Sequence, residues 1–219
     1  VLIPSETFDY VSDLVKRYPT LHFDFLAHND YDLSIANVIV GTSAGSIFGA
    51  MLSSGHLWRL VDEIDLFADF PKLLSKLMPA VQFNPSQIRA QQAELSVKDG
   101  SLASIQHIGK AAMASLNPDG VASHYKVIEK LLTSTEWPSA GMFTTAVDCF
   151  TGQRLVVSKA SNVPINVACA ASSSAPGQVG PTFVKDRLCM DGGMSQSSTH
   201  SDVIAGVKRA IVISLGDGT

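Results

Sequence analysis

Charge is scarce in this 219-residue chain: Asp, Glu, Lys and Arg make up 16% of it, against 46% hydrophobic residues. The 16 basic and 20 acidic side chains leave a net charge of −4, and no run of Lys or Arg forms a stripe. That excludes nucleic acid as the main partner. Cysteine is also sparse. Cys149, Cys169 and Cys189 are odd in number, lack a C-x-x-C spacing and have apolar neighbours. They argue against a disulfide framework or zinc site and for buried free thiols in a reducing, cytoplasmic setting. No apolar run approaches the ~20 residues needed to cross a bilayer. The opening "VLIPSETFDY" has neither the basic start nor the apolar core of a signal peptide, and it begins with Val rather than Met.

The hydrophobic majority is enough for a substantial core. Spacing predicts a helix over Thr7–Arg17 and a loop from Tyr18 to Ser34. Ile35–Val40 reads as a buried parallel-type strand, and Ser46–Ser54 as a helix that Gly55 stops. Residues 56–138 show repeated three-to-four-residue apolar spacing broken by Pro71, Pro79, Pro85 and Gly100, a helical insertion of the kind that covers a site. "MFTTAVDC" and "RLVVSK" form a hairpin around "TGQ", and "PINVACAASSSAP" is a small-residue helix between prolines. "TFVKDRLCMDGG" reads as two short strands around Lys185-Asp186, Ser201–Lys208 as a helix and "AIVISLG" as a last buried strand. The alternation gives an α/β fold in a single domain over residues 1–219, with no internal repeat.

"IVGTSAGS" places Ser43 between Gly41 and Gly45 where a strand gives way to a helix. Small residues there suit either a tight packing turn or a nucleophile lifted clear of the sheet edge. The strand before and the helix after favour the nucleophile. The glycines on either side would relieve clashes between strand and helix, and the amide of Ala44 would face a developing oxyanion. A nucleophilic Ser needs a base. Of the six histidines only His200 follows both Ser43 and a plausible acid, so a Ser43–Asp191–His200 triad is one arrangement. The polar surroundings of His200, "SQSSTHSD", also suit an exposed, capping-region residue. The other candidate base is Asp191 itself, followed by Gly192 and Gly193. Partial burial would raise its proton affinity, although an Asp-Gly turn explains the same residues.

"GTSAGS" at 41–46, "VACAASSSAP" at 167–176 and "MDGG" at 190–193 follow the order and spacing of the patatin-like phospholipases. "TTAVDCFTGQRLVVS" and "RAIVIS" resemble further segments of that family, so the likeness covers roughly residues 35–216. The resemblance implies a three-layer α/β/α sandwich with a mainly parallel central sheet. It implies a Ser-Asp dyad with Ser43 as nucleophile and Asp191 as base, without histidine, metal or other cofactor. The substrate would be a fatty-acyl ester of a lipid or phospholipid, met by peripheral contact with a membrane. One departure stands out: the family's upstream loop, G-G-G-x-R/K-G, has no counterpart in residues 1–35, which contain no glycine. That motivates a second reading, a catalytically silent module that binds lipid or a partner protein.

Overall fold

The computed structural model describes residues 33–70, 82–96, 99–197 and 200–213. The helix expected over Thr7–Arg17 and most of the following loop lie outside these residues.

The first strand, β1, spans Ile39–Thr42, and helix α1 follows at Ala44–Ser53. Strand and helix thus meet two residues later and earlier, respectively, than spacing predicts, with Ser43 alone between them. Gly55, at φ +74°, lets the chain leave α1 in a left-handed turn. The helical segment contains α2 (Leu57–Asp69), α3 (Pro85–Ser96), α4 (Leu102–Ala114) and α5 (Pro118–Leu132). Side chains set two of these starts: Ser101 accepts from the Ser104 amide and Asn117 from those of Asp119 and Gly120.

Strands β2 (Met142–Asp148) and β3 (Arg154–Ser158) form the expected hairpin, whose turn is held by Asp148 Oδ1 accepting from the Phe150 and Thr151 amides. Helix α6 runs over Ile165–Ser172, and β4 (Thr182–Val184) pairs antiparallel with β5 (Arg187–Asp191).

The sheet of the described residues is mixed rather than mainly parallel. Only β1 and β2 run parallel, whereas β2–β3, β2–β5 and β4–β5 are antiparallel. Its register carries a functional consequence. Strand β3 pairs with Phe143 through Val147 along one edge of β2. On the other edge β1 pairs with Met142 through Thr145, and β5 with Ala146 through Asp148. These two strands run toward each other and meet where Thr42 opposes Thr145 and Asp191 opposes Ala146. Neither can continue past that point, so both chains leave the sheet there.

Apolar side chains pack on both faces. Ile47 and Met51 of α1, Ile128 of α5 and Ala168 of α6 share one buried cluster with Met142, Ala146 and Cys189. Ile105, Ile108 and Ala112 of α4 form another with Val147, Cys149 and Met190. The alternation Ala146/Val147 and Cys189/Met190 is the two-residue period of a sheet buried on both sides. All three cysteines are buried and free; burial pushes each thiol up to about 12.

Two expectations near the C-terminus are corrected. The helix predicted over Ser201–Lys208 is only a 3-10 turn at Ser201–Ile204, which the chain leaves before Gly206 at φ +89°. The strand predicted from Ala210 is absent through Ile213: Ile211, Val212 and Ile213 are each more than half exposed, at 58, 57 and 56%. A run rich in branched residues forms a strand only where a sheet edge receives it.

Candidate active site

The converging ends of β1 and β5 bring Ser43 and Asp191 together. Ser43 Oγ donates to Asp191 Oδ2 at 2.6 Å. Ser43 adopts φ +56° and ψ −130°, a conformation that L-residues rarely tolerate. Three contacts hold it there. Its amide donates to Ser172 Oγ at 3.0 Å, its carbonyl accepts from the Ser46 hydroxyl at 2.7 Å, and the carbonyl of Ser46 in turn accepts from the Cys169 thiol at 3.4 Å. Thus α6 supports the elbow from beneath with small side chains.

Gly41 is required by the crossing: a Cβ there would lie 2.4 Å from the Gly45 carbonyl oxygen and 2.5 Å from Ser46 Cα. Gly45 is different. A Cβ there would meet nothing within 4 Å, so the expectation that both flanking glycines relieve clashes holds for Gly41 alone among the described residues. The amides of Ala44 and Gly45 open α1 without intrahelical acceptors, and both residues are exposed.

Asp191 is buried, with 4% of its surface exposed. Its Oδ1 accepts from the Gly193 amide at 2.8 Å, and its own amide donates to the Ser174 carbonyl at 2.9 Å. Burial pushes its carboxyl up to about 6, while the hydrogen bonds from Ser43 and Gly193 pull the other way. Gly192 permits the close turn: a Cβ there would lie 2.4 Å from Thr145 Oγ1, which itself pairs with Thr42 Oγ1 at 2.6 Å. The result is a buried carboxyl of raised proton affinity in direct hydrogen-bond contact with a hydroxyl.

His200 makes no hydrogen bond to Ser43 or Asp191 among the described residues, and it is not the exposed residue its polar neighbours suggest. It is 1% exposed, and its Nδ1 accepts from the Arg154 guanidinium at 3.2 Å. Arg154 is also paired with Asp202. Among the described residues the other ring nitrogen, Nε2, meets no hydrogen-bond partner of full geometry, although the ring lies close enough to the Gly192 backbone for it to favour the protonated form. Asp191 Oδ2 accepts from Ser43 and Oδ1 from the Gly193 amide.

Ser172, which accepts from the Ser43 amide, is a contributor that sequence reasoning missed. Ser172 is hidden within a run of three serines in a helix read for its small size. Glu94 is the sole acid of α3, and half-buried. Burial, with the charge of Asp191 second, pushes its carboxyl up to about 7. Ser172→Ala should strand the Ser43 amide without its buried acceptor, a cost of about 1–3 kcal/mol. Urea denaturation of the variant beside the parent measures it; equal midpoints would show the elbow is held without this bond.

A cleft of about 460 Å³ lies between α3 and α4, lined by Arg89, Ala93, His107 and Ala111 among others. Among the described residues no helix is long and apolar enough to cross a membrane, and no group of three His, Cys, Asp or Glu is placed to hold a metal.

A stretch of 46 residues, 21% of this chain, is 41% identical to part of homocitrate synthase from Sulfolobus acidocaldarius. The match spans 10% of that protein's length, too little to bear on function. The family model of the patatin-like phospholipases matches residues 20–203. That match extends from ahead of the serine elbow to beyond the Asp-Gly-Gly turn, and on this breadth the chain belongs to the patatin-like phospholipase family.

Proposed function

We propose that this chain is a serine acyl hydrolase of fatty-acyl esters of lipids and phospholipids, with Ser43 as nucleophile and Asp191 as general base. The observation that carries the reading is the 2.6 Å hydrogen bond from Ser43 Oγ to Asp191 Oδ2 on a left-handed elbow. As Ser43 Oγ attacks the acyl carbonyl, its proton passes to Asp191 Oδ2. The Ala44 amide meets the tetrahedral oxyanion. Collapse breaks the ester bond, and the leaving alcohol takes the proton back from Asp191. Asp191 then accepts a proton from the water that attacks the acyl-enzyme, and Ser43 recovers it as the fatty acid leaves. No step calls on a cofactor.

In this reading residues 1–219 are one three-layer α/β/α domain, and the helical segment 56–138 contacts the acyl chain at a membrane surface in the cytoplasm. Packing of helices on both sheet faces supports the layers.

A second reading, a silent lipid- or protein-binding module, is favoured by the scarcity of donors facing Ser43: among the described residues, only the opening amides of α1 can be named. A fluorophosphonate probe separates the two. The hydrolase reading expects covalent labelling that maps to Ser43 and disappears in Ser43→Ala, whereas a silent module stays unlabelled.

A further inference from the structure

Strands β1 and β5 are each hydrogen-bonded to β2, and among the described residues no backbone pair joins them to each other. Ser43 lies one residue past the ladder of β1, and Asp191 is the last residue in that of β5. Strand pairing thus fixes each end to β2 but leaves the gap between the two ends to side chains.

On one face of the sheet, α6 and its end span the gap: Ser172 Oγ accepts from the Ser43 amide and the Ser174 carbonyl from the Asp191 amide. On the other face stands Thr145. Strand side chains alternate, so Thr145 shares its side with Val147, which packs with α4, whereas Ala146 packs with α6. Thr145 is fully buried. Its Oγ1 lies 2.6 Å from Oγ1 of Thr42, the residue before Ser43. The same oxygen presses on the backbone of Gly192, the residue after Asp191, so closely that no Cβ would fit there. One hydroxyl therefore touches the neighbour of each member of the Ser43–Asp191 pair.

We infer that Thr145 is a positioning residue of the site: its hydroxyl, bonded to Thr42 and packed against Gly192, sets the gap between the ends of β1 and β5 and with it the contact of Ser43 with Asp191. Two hydroxyls that share a proton sit 2.6 Å apart here. A methyl carbon facing an oxygen stands off at roughly 3.3–3.6 Å. Thr145→Val would thus lengthen this contact by about 0.7–1.0 Å. The main chain of Thr145 cannot absorb the change, because it is paired with Thr42 on one edge and Val156 on the other. The movement falls on Thr42 or Gly192 and passes to Ser43 or Asp191 beside it. Their bond is only 2.6 Å long, and a misplacement of about 1 Å costs up to about a hundredfold in rate.

A role in packing alone predicts a different order of variants. Valine keeps the branched shape that suits a buried strand, whereas serine keeps the hydroxyl and leaves the space of a methyl group. Valine is then the milder change for stability and serine the milder change for the site.

The effect on rate rests on the proposed hydrolase reading; the positioning does not, and the experiment keeps them apart. The 219-residue chain is compared with Thr145→Val and Thr145→Ser. Thr145→Val should lower kcat for a p-nitrophenyl acyl ester by about 10- to 100-fold and leave KM within about threefold. Thr145→Ser should keep kcat within about threefold of the parent, even though its urea midpoint is no higher than that of Thr145→Val. A folded Thr145→Val with the parent's kcat, or a Thr145→Ser as slow as Thr145→Val, overturns the inference. If Thr145→Val does not fold, Thr42→Val removes the same bond from its half-buried side and is read in its place. A second readout needs no turnover: the ¹³C-labelled carboxyl of Asp191, assigned with Asp191→Asn, is titrated by NMR. The hydrogen bond from Ser43 favours the ionised carboxylate, so its loss in Thr145→Val should raise the Asp191 midpoint, and Thr145→Ser should leave it in place. An unmoved midpoint in Thr145→Val overturns the positioning. Hydrolysis that survives Ser43→Ala would remove the hydrolase reading and leave the positioning to be judged by NMR alone.

Discussion

Ser43→Ala and Asp191→Asn should each lower hydrolysis of a p-nitrophenyl acyl ester by about 10⁴-fold or more, because nucleophile and base act as one unit. Ser43→Ala removes the atom that forms the acyl-enzyme. Asp191→Asn keeps the shape and still lets a carbonyl oxygen accept from the Gly193 amide, which now meets Asp191 Oδ1 at 2.8 Å. It turns the group facing Ser43 Oγ from a proton acceptor into a donor. The two losses should therefore be similar in kcat, and the double variant should be little worse than either single one. His200→Ala provides the contrast. Its imidazole is tied to Arg154, so its loss should act through stability and leave kcat within about tenfold. A His200→Ala variant that is folded yet as inactive as Ser43→Ala would replace the dyad with a triad esterase.

The site was legible in sequence where the chemistry needs special backbone. Gly41, Ser43, Gly192 and Gly193 stand out because a strand-to-helix elbow and an abrupt strand end each demand particular residue types. Their meeting was not legible. It depends on β1 and β5 sharing one edge of β2, and nothing in "IANVIVG" or "RLCMD" records that the two strands approach head-on. The same gap explains the misjudged sheet. Branched residues mark a strand, but its direction relative to neighbours is set by connections and free edges. Ser172 was unreadable because its contact, the Ser43 amide, is 129 residues away in sequence. His200 misled in the opposite way: its flanks are polar, yet Arg154 and the fold around it bury the ring.

Asp191→Asn should also make the protein more stable at neutral pH, which is the larger of the expected stability effects. The carboxyl of Asp191 sits at about 6 in the folded chain against an ordinary value of 3.8, mainly because it is buried. A folded-state value above the unfolded one means that, between roughly pH 4 and 6, the native protein holds a proton the unfolded chain has released. Stability contributed by the neutral carboxyl is intact below that window and is lost as pH rises through it. At pH 7 and above the native state bears the full cost of a buried anion, on the order of 3 kcal/mol. Asparagine is neutral throughout, so the difference between variant and parent should grow from near zero around pH 4 to its maximum near pH 7. Glu94 changes the size and not the direction. Its carboxyl is also raised, so its own cost shares that sign in the parent and lessens once the charge of Asp191 is gone. Asp202 and Asp99 are shifted downward, but they are exposed and common to both proteins, so they cancel in the comparison. Urea denaturation of both proteins at pH 4.5 and pH 7.5 measures the effect. A variant no more stable than the parent at pH 7.5 would mean that Asp191 is well solvated, and with it would go the argument that burial makes this carboxylate a competent base.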